Sequence, residues 1–343
     1  MNSLSVAIIG TGNIAGGYDE KKLTGEEGVY SHVGSYQSHG GFRLNAVYDP
    51  DRQRAAAFCE RWKVAENVES LLEIQRMQHD VISVCTPDGT HAGIVRELLQ
   101  AGCCKTIFVE KPLAATTDEV EEIIQLAQER GINVVINFQR RNEATHRELS
   151  ELIAARPDDL LSVSSHYMKG LRHMGITMID TLIMLCGRPL SVQTYNRAFN
   201  READEYSYEF ILYFTGFTAS VKTVDSERFD YNYHLFEIDL LLADGRKTLV
   251  DISQALREVP VTPYAYSGVK VINERQAVIR DTGYKFSMQD AVAYLHEVTS
   301  GQKPHATNTP QSFYNDLLIV EKVIESYERG SVKLDLEPQS WKK

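Results

Sequence analysis

The sequence predicts an α/β domain with a doubly wound parallel sheet, followed by an α+β domain with a large, mainly antiparallel open sheet. Three observations predict this. Short apolar runs alternate with amphipathic segments up to Asn137, a glycine-rich loop follows the first of these runs, and longer alternating runs replace them after Asn137. We therefore place the first domain at residues 1–137 and the second at residues 138–343.

The apolar runs of the first half are about five residues long and end at turn signals, as is typical of strands buried on both faces. The predicted strands are Ser5–Ile9, Phe42–Tyr48, Asp80–Val84, Thr106–Val109 and Asn133–Asn137. Helical patterns lie between them, including Asp51–Trp62, Thr90–Ala101 and Thr117–Arg130. Strands that alternate with helices predict a parallel sheet covered on both sides.

Period-two alternation in the second half predicts antiparallel strands with one covered face. The predicted strands are Ser191–Ala198, Ser207–Phe214, Thr218–Val224, His234–Leu242 and Lys247–Ile252, and the predicted helices are Glu143–Ala154, Gly175–Cys186, Ser287–Thr299 and Gln311–Arg329. Asp244-Gly245 is a hairpin signal between the last two strands.

The composition excludes several classes of protein. Of 343 residues, 43% are hydrophobic and 24% charged, as in ordinary globular proteins. The formal net charge of -11 argues against nucleic-acid binding, which needs concentrated Lys and Arg. Five cysteines without metal-site spacing fit a reducing compartment, and no apolar run is long enough to span a membrane. We therefore expect a cytoplasmic protein with no metal.

The glycine-rich loop has the form G-x-G-x-x-A and reads Gly10-Thr11-Gly12-Asn13-Ile14-Ala15. It follows a strand and opens a helix, which is the setting of the Rossmann dinucleotide fingerprint. The first glycine permits a tight turn, the second lets a pyrophosphate approach the backbone, and the small third residue allows close packing of helix on strand. The helix N-terminus supplies N–H groups to the anion. The loop predicts a nicotinamide dinucleotide as cofactor.

Asp49 ends the second strand, where a carboxylate accepts hydrogen bonds from the adenosine ribose and repels a 2′-phosphate. It favours NAD over NADP, although Arg52 is close enough to keep NADP open. The acid lies further from the glycines than the usual 20 or so residues. An inserted loop, roughly Asp19–Ser31, accounts for the excess, and it is either a surface excursion or a flap over the cofactor.

Two later motifs also follow strands, at the edge where ligands of open α/β sheets bind. They are Thr86-Pro87, with His91 four residues on, and Glu110-Lys111-Pro112. Together with the glycine loop, they resemble the glucose–fructose oxidoreductase / inositol dehydrogenase / MocA (Gfo/Idh/MocA) family. The resemblance extends over nearly the whole chain and includes the helix that carries Asp180.

The resemblance implies an NAD(P)-dependent oxidoreductase that transfers a hydride between nicotinamide and a carbinol carbon of a sugar, polyol or nucleotide-linked sugar. It assigns Lys111 to the reacting oxygen, where an ammonium stabilises a developing alkoxide. It also implies a homodimer or homotetramer. Gly10, Thr11, Gly12, Asn13, Ile14, Asp49, Thr86, Pro87, His91, Glu110, Lys111 and Gln139 are then expected on the cofactor side, with Asn137 and Arg141 beside them.

The second domain departs from the family pattern Asp-x-x-x-His-x-x-Asp. The final Asp180 matches, but His173 stands in place of the first acid and Thr177 in place of the histidine. Residues four apart share a helical face. We hypothesise that His173 is the general acid/base and that Thr177 binds a substrate hydroxyl, with Tyr167 and Lys169 as further proton donors. A structural role for His173 stays open, as does a non-catalytic nucleotide-binding sensor on the same fold.

Overall fold

The computed structural model describes residues 3–201, 204–225, 233–337 and 341–342. Packing divides the chain into two compact units. The first contains the chain up to residue 143 together with residues 285–314, and the second contains residues 144–284 and 315–342.

The α-helices and β-strands alternate in the first unit and segregate in the second. The first part of the chain contains β1 (Leu4–Ile9), α1 (Tyr18–Glu20), α2 (His32–His39), β2 (Phe42–Tyr48), α3 (Arg52–Trp62), β3 (Glu66–Asn67), α4 (Leu71–Met77), β4 (His79–Val84), α5 (His91–Ala101), β5 (Cys104–Val109), α6 (Thr117–Arg130) and β6 (Asn133–Ile136). The remainder contains α7 (Ala144–Ala155), β7 (Leu160–Tyr167), α8 (Ile176–Cys186), β8 (Ser191–Asn200), β9 (Glu205–Tyr213), β10 (Thr218–Thr223), β11 (Phe236–Leu242), β12 (Gly245–Val250), β13 (Ala255–Pro263), β14 (Lys270–Ile272), β15 (Val278–Asp281), α9 (Ser287–Thr299), α10 (Pro310–Glu328) and β16 (Leu334–Asp335).

The first unit is built on a six-stranded sheet with the order β3-β2-β1-β4-β5-β6. Every strand pair in it is parallel. This is the Rossmann order, in which successive strands are added on one side of β1 up to β3 and on its other side from β4 onward. The five predicted strands and three predicted helices of this half are confirmed to within one or two residues at each end, because short apolar runs between amphipathic helices have few other ways to become buried.

The core of the first unit includes a helix from far along the chain. Val33 and Tyr36 of α2 pack in one cluster with Met288, Val292 and Leu295 of α9. The boundary inferred from the sequence at residue 137 put α9 with the second domain, whereas its buried face belongs to the first compact unit. An amphipathic stripe shows that a helix covers apolar surface but not which sheet supplies it.

The second unit contains a ten-stranded sheet with the order β14-β13-β12-β11-β7-β10-β9-β8-β16, and β15 also pairs with β13. Among these pairs β7 and β10 are parallel, and the others are antiparallel. The predicted mainly antiparallel sheet is confirmed. Its central strand β7 was not predicted, because Ser162, Ser164 and Ser165 interrupt the apolar alternation of Leu160–Tyr167.

The predicted hairpin at Asp244-Gly245 joins β11 to β12, with Leu242 paired to Gly245. The glycine is itself a strand residue. A Cβ on it would meet the carbonyl oxygen of Val259 in β13 at 2.3 Å. Close approach of the neighbouring strand therefore requires this glycine. Within the described ranges, no helix is both long enough and apolar enough to span a bilayer.

Candidate active site

The phosphate loop lies at the carboxyl end of β1. Gly10 has φ = +86°, and a Cβ there would lie 2.7 Å from the carbonyl oxygen of Cys85, so this turn requires glycine. A Cβ on Gly12 would meet nothing within 4 Å. The open space beside Gly12 is what a pyrophosphate needs to approach the backbone.

The helix that follows begins with a π-helical turn, Asn13–Gly17, and continues directly into α1. Its N-cap Gly12 has no side-chain capping hydrogen bond. Ala15 is fully buried, and a Cβ on Gly16 would overlap the Trp62 ring. Close packing therefore fixes this turn. Its N-terminus presents backbone N–H groups, including those of Asn13 and Ile14, as donors for a bound anion. These features fit a dinucleotide pyrophosphate.

Asp49 follows β2, and both of its carboxylate oxygens are held by the protein. Oδ2 accepts from the backbone N and the Oγ1 of Thr11, each at 2.8 Å, and from Arg54 Nε at 3.2 Å. Oδ1 accepts from Arg54 Nη2 at 2.7 Å and from the Asp51 backbone N at 2.9 Å. Burial opposes ionisation of Asp49, but the bonds from Arg54, Thr11 and Asp51 outweigh it and lower the Asp49 pKa.

The contacts of Asp49 change which side chains are available to bind the adenosine ribose. A carboxylate has about four lone-pair sites, and Asp49 already receives five hydrogen bonds. Arg54, whose side chain is 53% exposed, is the cation beside it. Arg52, which the sequence suggested for this place, pairs instead with Glu69 at 2.6 Å. Arg54 was not predicted from the sequence, although its place five residues after Asp49, on the following helix, was the available signal.

Thr86 and Pro87 follow β4, and His91 begins α5. The His91 side chain is fully buried. Its Nδ1 lies 2.7 Å from the carbonyl oxygen of Pro112, and its Nε2 lies 2.7 Å from that of Thr86. His91 therefore connects the loop after β4 to the loop after β5, which agrees with a role in shaping the pocket.

Glu110 and Lys111 follow β5, and the peptide bond from Lys111 to Pro112 is cis. Glu110 is buried, and its Oε1 accepts from Asn137 Nδ2 at 2.6 Å and lies 2.7 Å from His32 Nε2. Burial opposes ionisation of this carboxyl, but His32, Asn137 and the charge of Lys111 lower its pKa. Lys111 is itself half-buried. Gln139, after β6, accepts from Ser287 Oγ at 2.7 Å.

The phosphate loop and Lys111 share one edge of the sheet. β4 pairs with β1 on one side and with β5 on the other, and all three strands are parallel. The loops after these strands carry Gly10–Gly12, Thr86-Pro87 and Glu110-Lys111. The fold therefore brings these three predicted motifs to adjacent strand ends, at the switch point where ligands of such sheets bind.

In the second unit, His173 belongs to a π-helical turn, Gly170–Gly175, that leads into α8. Glu205 holds this turn, because its Oε1 accepts from the His173 backbone N at 3.0 Å and its Oε2 from the Arg172 backbone N at 3.2 Å. Residues four apart share a face only in an α-helix, whereas a π turn has a longer repeat. The expectation that His173 and Thr177 lie on one face therefore does not follow from their spacing. Burial raises the pKa of Glu205 above its ordinary value.

Thr177 and Asp180 are both buried in α8. The Thr177 hydroxyl has no hydrogen-bond partner among the described residues. Only 7% of the residue is exposed, so the hydroxyl is also shielded from solvent. A buried hydroxyl without a partner is uncommon in native proteins. It is the kind of group that a ligand hydroxyl would satisfy.

The Tyr167 hydroxyl is engaged by a neighbouring strand, which argues against the proton-donor role expected from the sequence. It is fully buried in β7, its hydroxyl donates to the Tyr208 carbonyl at 2.9 Å, and it accepts from the Tyr208 N–H at 2.7 Å. Burial raises its pKa. The hydroxyl is therefore committed to the sheet, whereas Lys169 contacts His234, with Nζ 2.9 Å from Nε2. Burial, together with the charges of Lys169 and His173, lowers the pKa of His234.

A Rossmann sheet whose glycine loop fits a dinucleotide pyrophosphate defines the class of dinucleotide-binding domains. A family model described as an oxidoreductase family with an NAD-binding Rossmann fold matches residues 4–138. These residues therefore resemble the NAD-binding domain of the Gfo/Idh/MocA family.

Relatives agree with this assignment. Inositol 2-dehydrogenase of Rubrobacter xylanophilus is 31% identical over 155 residues, which cover 44% of this chain and 40% of that protein. D-glucoside 3-dehydrogenase of Escherichia coli is 28% identical over 153 residues, which cover 44% of this chain and 39% of that protein. The chain thus matches less than half of the length of these relatives.

The similarity of fold extends over the whole chain. The structure of the WlbA dehydrogenase from Chromobacterium violaceum in complex with NADH and UDP-GlcNAcA has a TM-score of 0.75 and 17% identity, and the match covers 98% of this chain and 97% of that one. At this identity the likeness shows the fold alone.

Proposed function

We propose that the protein is an NAD(P)-dependent dehydrogenase that acts on a carbinol carbon of a sugar, polyol or nucleotide-linked sugar. The observation that carries the proposal is the place of Lys111, two strands from the phosphate loop along one edge of a parallel sheet. A cofactor held by Gly10–Gly12 would extend along this edge, and the Lys111 ammonium is the cationic group there that precedes the cis proline.

The nicotinamide, when bound, supplies the acceptor for a hydride from the carbinol carbon. Lys111 then acts on the oxygen of the same carbon. Its ammonium lowers the pKa of that hydroxyl and stabilises the negative charge that develops as the hydride leaves. The products are the carbonyl compound, the reduced cofactor and one proton. Asn137 donates to the Glu110 side chain and the Glu110 backbone N–H donates to the Val84 carbonyl, and these two bonds support the backbone before Lys111.

In the second unit we propose that His173 exchanges the substrate proton and that Thr177 binds a substrate hydroxyl. The unsatisfied, buried Thr177 hydroxyl supports the second role. Asp180, fully buried in the same helix, is proposed to complete this group. A homodimer or homotetramer stays a prediction of the family resemblance, which analytical ultracentrifugation tests.

The experiment follows nicotinamide absorbance while the protein, with NAD+ and then NADP+, meets a panel of inositols, aldoses, polyols and nucleotide sugars. We expect turnover with one of these classes. Lys111→Met should reduce kcat on the order of 100-fold or more and leave NADH binding intact. Tight NADH binding without turnover on any compound would overturn the dehydrogenase and favour the sensor.

A further inference from the structure

A buried polar cluster lies directly behind Lys111 in the first unit. Glu110, one peptide bond before Lys111, has its carboxylate turned into the protein, where Asn137 and His32 contact Oε1. The Glu110 backbone N–H also donates to the carbonyl of Val84 in β4 at 3.1 Å. The position of Glu110 is therefore set by both its main chain and its side chain, and the Lys111 backbone follows from it.

His32 is the member of this cluster that comes from a distant part of the sequence. It is the first residue of α2 and is fully buried. Its ring packs against Phe108 of β5, with the ring centroids 4.7 Å apart. Its Nδ1 lies 3.3 Å from Ser83 Oγ, and the Tyr36 hydroxyl lies 2.6 Å from the same oxygen.

Tyr36, Ser83, His32 and Glu110 form a row of hydrogen-bonded side chains, and one assignment of hydrogens satisfies every contact in it. The Tyr36 hydroxyl donates to Ser83 Oγ, the Ser83 hydroxyl donates to His32 Nδ1, and His32 Nε2–H donates to Glu110 Oε1. A leucine of similar volume would leave the buried Glu110 carboxylate with one donor fewer, and loss of a hydrogen bond to a buried charge is costly.

The insertion that separates the glycine loop from β2 supports His32. Asp19 accepts from the backbone N–H groups of Tyr30 and Ser31, each at 3.0 Å, and also from the Ser31 hydroxyl. Ser31 is in turn the N-cap of α2. The inserted segment is therefore closed at its base, and this closure determines where α2, and with it His32, begins.

We propose that His32 is a positioning residue for Lys111, which it orients by holding the Glu110 carboxylate from the first turn of α2. The inference rests on the proposed role of Lys111. It also assigns a purpose to the insertion: the segment returns the chain so that α2 starts with an imidazole behind the reacting lysine. In this role His32 acts through Glu110, which it contacts directly.

The test compares His32→Leu, His32→Gln and His32→Asn with Tyr36→Phe as the matched control. Glutamine keeps an amide donor able to reach Glu110, asparagine is one methylene too short, and Tyr36→Phe removes a hydroxyl at the far end of the row. Trace acetylation with acetic anhydride, followed by peptide mass spectrometry, gives the modification rate of Lys111 relative to exposed Lys63. NADH fluorescence titration reports the integrity of the domain, and kcat and KM are measured with the substrate found in the panel.

We expect several-fold faster acetylation of Lys111 in His32→Leu and His32→Asn, and rates near wild type in His32→Gln and Tyr36→Phe. In the first two variants kcat should fall on the order of 10- to 100-fold while KM changes little, because misplacement of a reacting group costs rate. A folded His32→Leu with unchanged acetylation would overturn the proposal. Equal Lys111 acetylation rates in His32→Gln and His32→Asn would also overturn it. If His32→Leu does not fold, this second comparison is the deciding test. Acetylation needs no substrate, so absence of turnover would count against the proposed function alone.

Discussion

At the scale of single residues, the two cofactor-side acids, Asp49 and Glu110, both bind other parts of the protein. Asp49 holds Thr11 of the phosphate loop, and Glu110 is bound by His32 and Asn137. Both carboxylates therefore order the loops at the carboxyl ends of β1 and β5. Each carboxylate has a more exposed cationic neighbour, which is Arg54 for Asp49 and Lys111 for Glu110.

Arg54 should determine how well the protein accepts a 2′-phosphate. We expect Arg54→Ala to weaken NADPH binding on the order of 10- to 100-fold, the value of a charge-assisted hydrogen bond of about 1.5–3 kcal/mol, and to change NADH binding much less. Fluorescence titration with both reduced cofactors measures the ratio. Arg52→Ala is the control, since Arg52 is exposed and paired with Glu69. Equal losses for both cofactors would show that Arg54 only stabilises the loop.

His173 should act in proton transfer. We expect His173→Ala to lower kcat on the order of 100-fold or more and to remove one limb of its pH profile. Thr177→Val, which deletes one hydroxyl and keeps the shape, should raise KM and leave that limb in place. Measuring kcat from pH 5 to 10 distinguishes the two roles. If the profile of His173→Ala matches wild type, His173 serves only in the turn that Glu205 holds.

At the scale of elements, the inserted segment between α1 and α2 is the main departure from a plain Rossmann unit. It divides the first helix into two pieces, 13–20 and 32–39. Most of the hydrogen bonds within it are partly buried, and the Asp19 side chain at its base is only 5% exposed. The stability of this segment should therefore depend on that one carboxylate.

Asp19→Asn should loosen the segment while the rest of the domain stays folded. The amide replaces one acceptor oxygen with a donor and cannot accept from both Tyr30 and Ser31 in the same way. We expect limited trypsin to cleave after Lys21 or Lys22 several-fold faster, with cleavage after the exposed Lys63 unchanged. Glu27→Gln makes the same charge change in the same segment, where Glu27 is 78% exposed. Similar cleavage rates in the two variants would contradict the anchoring role of Asp19.

At the scale of the whole molecule, the buried Asp49 and the partly buried Glu205 should make stability depend on pH in opposite directions. The pKa of Asp49 is lowered, so its contribution is complete above the unfolded value of about 4 and is lost as the pH falls through the folded value. The pKa of Glu205 is raised, so its contribution is present at low pH and is lost as the pH rises through the folded value.

Thermal unfolding from pH 3 to 8 tests both signs. Asp49→Asn should lower Tm most at neutral pH, by roughly 2–4 °C per kcal/mol lost, and the difference from wild type should shrink below about pH 4. Glu205→Gln should lower Tm least, or raise it, at neutral pH, and its Tm relative to wild type should decrease as the pH falls. Two pH-independent differences would contradict the assigned pKa directions.

The sequence by itself determined the Rossmann domain, because buried parallel strands need apolar runs on both faces and leave a local signal. It also determined the glycine loop, since only glycine readily adopts a positive φ or lets a ligand approach the backbone, and the structure shows φ = +86° at Gly10 and open space beside Gly12. The second sheet was predicted in outline, although its central strand, rich in serine, gave no apolar alternation.

Only the tertiary structure decided which side chains meet. The pairing of His32 with Glu110 joins residues 78 positions apart, and the assignment of α9 to the first unit depends on which apolar surface its stripe covers. The hydroxyl of Tyr167 looked available in the sequence but is bound to the backbone of a neighbouring strand. Such contacts depend on how strands and helices pack, and local patterns do not encode the partner.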